Sequence, residues 1–74
     1  LRRDVESRGG RCFKVKFEAI RGAPDRLVLL PGVRPFLVEL KRPGEVPTEQ
    51  QRNLHAELDS LGLPVVAFDG ERVL

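Results

Sequence analysis

Two short segments carry the residues best suited to chemistry. Gly22-Ala23-Pro24-Asp25-Arg26 ends on an acid next to a base, and Val38-Glu39-Leu40-Lys41 follows one apparent hairpin later. In an extended strand, side chains alternate between faces, so Glu39 and Lys41 project to one side and Leu40 to the other, toward a core. Two carboxylates that converge repel each other unless a cation lies between them. Oxygen ligands with room left for water suit Mg²⁺ or Mn²⁺. Such an ion polarises a phosphoryl oxygen and acidifies bound water, and a lysine beside it can orient that water or offset developing negative charge. An acid-x-lysine by itself is more often a solvated ion pair, and Asp25 an acid at a loop end; the hairpin and the helix that follows reverse that balance.

For these groups to meet, the chain between them must fold back. Leu27 to Leu30 is a continuous apolar run, so Asp25 to Leu30 is expected as a strand buried on both faces. Pro31-Gly32 is a strong turn signal. Phe36 to Lys41 is then the returning strand, with Pro35 too near its start to disrupt its centre. A hairpin of this kind sets the start of one strand beside the end of the next, which brings Asp25 to Glu39 and Lys41.

The flanking elements are also readable. Leu1 to Arg8 is a short charged helix stopped by Gly9-Gly10, with Leu1 and Val5 able to face a core. From Arg11 to Phe17, Phe13, Val15 and Phe17 alternate with Cys12, Lys14 and Lys16, the pattern of a strand with one apolar face. Pro47 to Leu61 is the clearest helix: Thr48 and Gln51 have capping-box spacing, Leu54, Leu58 and Leu61 form the inward stripe, and Gly62 stops it. Gln51 lies on that stripe in the first helical turn, where capping and a place in the site are both open to it. Pro64 to Phe68 is a last strand. The order is helix, three strands, helix, strand.

Composition bounds the rest. With 74 residues, 41% of them apolar but no Trp, Tyr or Met, the chain makes one domain with a thin core, to which a second copy would add stability. A net charge of +2 permits contact with a polyanion without requiring it. Cys12, alone, forms no internal disulfide and suits a reducing cytoplasm. It has no His partner to make it a nucleophile, and His55 has no companion for zinc. No apolar run is long enough for a membrane span. Lys14, Lys16, Arg21 and Arg26 flank the site and could contact phosphates, or be ordinary solvated positions.

The ordered set Gly22-Ala23-Pro24-Asp25-Arg26, Val38-Glu39-Leu40-Lys41 and Thr48-Glu49-Gln50-Gln51, before a leucine-containing helix ending at Gly62, resembles the VRR-NUC domain of the PD-(D/E)xK nuclease superfamily. The likeness runs from Gly9-Gly10 to Phe68. It implies an α/β, restriction-endonuclease-like core, α-β-β-β-α-β, with a mixed central sheet flanked by helices, and hydrolysis of phosphodiesters dependent on Mg²⁺ or Mn²⁺. Asp25 and Glu39 match the metal-binding acids, Lys41 the catalytic lysine and Gln51 the helix glutamine, with the Leu40 carbonyl a further metal ligand. The likeness to stand-alone phage and bacterial members implies a cytoplasmic homodimer acting on branched DNA such as four-way (Holliday) junctions. The alternatives are a nuclease-like module that binds DNA or a partner without cutting, and the nuclease module of a larger repair enzyme. The family's first-helix glutamate has no match after Leu1, since Glu6 is too near Gly9-Gly10. The expectation is one nuclease domain over residues 1–74 with its first helix truncated.

Overall fold

The computed structural model describes residues 1–74 and contains six elements: α1 (Arg2–Ser7), β1 (Arg11–Lys14), β2 (Arg26–Leu30), β3 (Val33–Leu40), α2 (Glu49–Ser60) and β4 (Val65–Phe68). Their order is the expected one. The strands form one mixed sheet, β1-β2-β3-β4, antiparallel from β1 to β3 and parallel between β3 and β4. The parallel step requires a crossover, and α2 supplies it. None of the helices is long and apolar enough to cross a membrane.

The β2–β3 hairpin closes through Pro31 and Gly32, the latter at φ 73°, where a side chain would be strained. β3 is longer than its apolar run suggests and contains Pro35. The proline is tolerated because the register shifts between Val28 and Leu30, a bulge at which a proline leaves no ladder donor missing.

β1 is shorter than the alternation indicates, ending at Lys14 rather than Phe17. One more ladder bond, from the Val15 N–H to the Asp25 carbonyl at 2.9 Å, follows before the chain leaves the sheet. Phe13, expected inward, is exposed. α2 packs on β4 and not on β1, so nothing covers that side of β1 except the Arg11 guanidinium, 4.9 Å above the Phe13 ring.

The core lies mainly between α1 and the sheet. Val5, Val28 and Val38 are buried together, with Leu1, Cys12, Leu30, Phe36 and Phe68 packed around them. Gly10 lets the chain pass against β2: a Cβ there would stand 2.2 Å from the Leu29 carbonyl oxygen. Leu40, expected in this core, is exposed, because α1 rests on β1 and β2 and leaves the end of β3 uncovered.

α2 begins at a complete capping box: the Gln51 N–H donates to Thr48 Oγ1 at 3.1 Å, and the Thr48 N–H to Gln51 Oε1 at 3.0 Å. It ends with the Gly62 N–H on the Asp59 carbonyl and the Leu63 N–H on the Leu58 carbonyl, a Schellman motif with Gly62 at φ 98°. Leu61 is therefore the C-cap and is exposed, not a member of the inward stripe. That stripe is Gln51, Leu54, His55 and Leu58, all half-buried. Beyond β4, Asp69 Oδ1 accepts the Glu71 and Arg72 N–H groups, both at 2.9 Å, and turns the chain so that Val73 bridges back to Phe68.

Candidate active site

The register of the hairpin decides which side chains meet. Arg26 stands opposite Val38 and Leu27 opposite Leu37, so one step further along the ladder Asp25 is level with Glu39. Asp25 sits just before β2, its carbonyl tied to Val15 and its side chain half-exposed. Glu39 is the penultimate residue of β3 and lies in the sheet interior, with Ala67 of β4 on its other side. Lys41 follows β3 and is half-buried, held by its N–H on the Phe68 carbonyl at 2.9 Å. The topology thus gathers the three groups on the α2 side of the sheet.

Their electrostatics show that they act on one another. Burial raises the Glu39 carboxyl above its ordinary value, the Lys41 ammonium pulls it back down, and the Asp25 carboxylate pushes it up again. The side chain is only 12% exposed, so Glu39 is not half of a solvated surface ion pair. Asp25 is paired with its neighbour in the chain: Arg26 Nη1 lies 2.9 Å from Asp25 Oδ2 and also donates to the Asp25 carbonyl at 3.2 Å. The guanidinium thus reaches round from the opposite face of the ladder and occupies one carboxylate oxygen.

Gln51 combines two attachments. Besides closing the capping box, its Nε2 donates to the Gly22 carbonyl at 3.5 Å, a long bond that links the start of α2 to the loop ahead of Asp25. Gly22 has φ 70°, and a Cβ there would lie 3.4 Å from Gln51 Nε2. The glutamine is therefore beside the acidic loop, as its place on the inward stripe suggests.

His55 is the residue that sequence reasoning passed over. One helical turn beyond Gln51, it faces the sheet with its Nε2 3.7 Å from Glu39 Oε1. Burial, with the nearby Lys41 charge, lowers the His55 pKa, so the ring is neutral near pH 7. The available signal was spacing: Gln51 and His55 are four apart, hence on one helix face.

The four basic candidates do not converge. Lys14 and Arg26 are ladder partners on the α1 side of the sheet, lining a cavity with Leu1, Arg2, Cys12 and Leu40. Arg21 lies instead along a groove against α2, with Ile20, Gln50, Asn53, Leu54 and Glu57. Lys16 is exposed in the loop after β1. Of these, Arg26 alone touches the acidic pair.

The donor set fits a hard divalent ion. Asp25 and Glu39 offer carboxylate oxygens at the end of the hairpin, and the Glu39 side chain is only 12% exposed, so it has little water to offset its charge. No three His, Cys, Asp or Glu side chains form a closed metal cluster anywhere in the chain. An ion at this place would accordingly depend on backbone carbonyl and water to complete its shell, as Mg²⁺ and Mn²⁺ commonly do.

No family model matches the chain. Over 68 residues it is 43% identical to "Putative nuclease p44" of Acyrthosiphon pisum secondary endosymbiont phage 1, a match covering 92% of this chain and 73% of the phage protein. A solved structure described as a VRR_NUC domain is similar to it with a TM-score of 0.75 and 31% sequence identity, over 89% of this chain and 72% of that one. The mixed four-stranded sheet with its crossover helix, the grouping of Asp25, Glu39 and Lys41 on it, and these two similarities together place the chain in the VRR-NUC family of nucleases.

Proposed function

We propose that this nuclease is a divalent-metal-dependent DNA endonuclease and that Asp25, Glu39, Lys41 and Gln51 form its active site. The observation that carries the proposal is Glu39, a largely buried carboxylate whose ionisation is opposed by burial and by Asp25 and supported by Lys41. A carboxylate so placed gains most from a cation. Asp25, Glu39 and the Leu40 carbonyl would hold Mg²⁺ or Mn²⁺. When bound, that ion supplies Lewis acidity toward a phosphoryl oxygen and acidifies a water ligand.

The chain's own groups do the remaining work. The Lys41 ammonium, a compact point charge, stabilises negative charge as it builds on the phosphate oxygens, or orients the attacking water through one of its N–H groups. The bond formed is from water oxygen to phosphorus; the bond broken is from phosphorus to the leaving strand's oxygen. Gln51 holds the Gly22 loop, and with it Asp25, at the head of α2. Arg26 stands close enough to Asp25 to be drawn onto a substrate phosphate instead, which would release the carboxylate oxygen it occupies.

Branched DNA, with four-way junctions foremost, is the proposed substrate, and a homodimer the proposed working form. Two-fold symmetry would set two such sites for paired incisions. Side chains such as Leu40 and Phe13, exposed here, give a second copy apolar surface to cover. One observation favours a second reading, that of a module that binds DNA without cutting: two acids and no third converge at the site.

A cleavage assay on junction, flap and linear DNA separates the two. Mg²⁺- or Mn²⁺-dependent cleavage that falls by roughly a hundredfold or more in Asp25→Ala and in Glu39→Ala is the expected outcome. Cleavage persisting in excess chelator or in both variants would overturn the assignment. Junction binding with no turnover under any divalent ion would establish the second reading.

A further inference from the structure

Two buried side-chain polar atoms in this chain have no hydrogen-bond partner, Glu39 Oε1 and His55 Nε2, and they face each other at 3.7 Å. Leaving either atom unsatisfied costs on the order of 1–3 kcal/mol. The separation exceeds a hydrogen bond, yet a shift of less than about 1 Å would bring it within range. Both ends are anchored. Glu39 is paired with Ala67 of β4 one step beyond the last β2–β3 pair, and His55 lies in the inward stripe of α2 between Leu54 and Leu58, on a helix tied at its first turn to the Gly22 loop. The chemistry is complementary as well. An imidazole nitrogen bearing its proton is a donor, and a carboxylate oxygen is an acceptor, so the two facing atoms can satisfy each other.

We propose that His55 is a positioning residue for Glu39: its Nε2–H donates to Oε1, holding the carboxylate in one rotamer and leaving Oε2 as the oxygen offered to the cation. This rests on the metal site proposed above and deepens it. A carboxylate that must bind an ion while buried needs its free oxygen satisfied, and outer hydrogen bonds of this kind fix the orientation and basicity of metal ligands. Without His55, Glu39 would face the ion with an unpaired, rotationally free carboxylate. The lone histidine that zinc spacing dismisses thus acquires a role through the acid opposite it.

The test measures Mn²⁺ binding by calorimetry on the whole chain, for wild type, His55→Leu and His55→Gln, with cleavage kinetics alongside. Leucine keeps the packing and removes the donor, whereas the glutamine amide places a donor near the position of Nε2. Expected is a ten- to hundredfold weaker Mn²⁺ affinity in His55→Leu and a loss within about threefold in His55→Gln. If His55→Leu does not fold, His55→Asn, whose amide is too short to reach Glu39, takes its place with the same expected loss. Wild-type affinity in His55→Leu overturns the proposal while leaving the metal site standing. Equal loss in His55→Gln and His55→Leu also overturns it, because the imidazole would then act as a ligand or as packing. A wild-type chain that binds no Mn²⁺ overturns the metal site, and this inference with it.

Discussion

At the scale of single residues, Glu39 has two consequences that pull in opposite directions. Its carboxyl is raised above the ordinary value of 4.5 chiefly by burial, so the folded chain holds this proton more tightly than the unfolded one. The contribution of Glu39 to stability is therefore fully present below pH 4.5 and is lost as pH rises through the raised value. At neutral pH the ionised side chain works against folding. Glu39→Gln, which carries no charge at any pH, should melt at a higher temperature than wild type at pH 7. That difference should shrink toward pH 4.5, while nuclease activity is lost throughout. Thermal melts across this range decide it, and a less stable Glu39→Gln at pH 7 would contradict the assignment. The proposed role of Glu39 in the active site would explain why a group that costs stability is kept.

Among the elements, close approach matters more than propensity. α1 has six residues, too few to be stable alone, and owes its place to the way Gly9-Gly10 turns it onto the sheet. Because a Cβ on Gly10 would meet the Leu29 carbonyl at 2.2 Å and Leu30 Cδ2 at 2.7 Å, the smallest side chain must separate α1 from β2. Gly10→Ala should cost about 1–3 kcal/mol, read as a shift of the urea midpoint. A midpoint equal to wild type would mean that the contact between α1 and the sheet is not needed for stability. α2 shows the contrasting case, in which local signals suffice. Thr48, Gln51 and Gly62 define its two ends through bonds within a few residues of each, and the structure has them all.

For the whole molecule, the question is how so small a core is maintained. Only six of 74 side chains are buried, and α2 contributes none of them. Stability for a chain of this length is on the order of 4–11 kcal/mol. Large apolar side chains, among them Phe13, Ile20, Val33 and Leu40, remain exposed at 39% or more. If a homodimer covers part of this surface, the melting temperature should rise with protein concentration, since association stabilises only the folded state. Melts over a hundredfold concentration range, paired with light scattering, provide the check. A constant melting temperature and a monomeric mass would remove the homodimer, and with it the symmetry argument for paired incision.

The chain's sequence by itself determined whatever depends on neighbours along it: the element order, the Pro31-Gly32 turn, both caps of α2, and the grouping of Asp25 with Glu39 and Lys41, which a hairpin of this length dictates. Tertiary structure decided what depends on which helix covers which strand. Phe13, Leu40 and Leu61 have the hydrophobicity of core residues and are exposed, because α1 lies over β1 and β2, α2 lies over β4, and Leu61 falls at the helix end. The same coverage buries His55 against Glu39, a contact between groups whose pairing no local pattern encodes. Periodicity states which side of an element is apolar. Only the packing of one element on another determines whether that side meets protein or solvent.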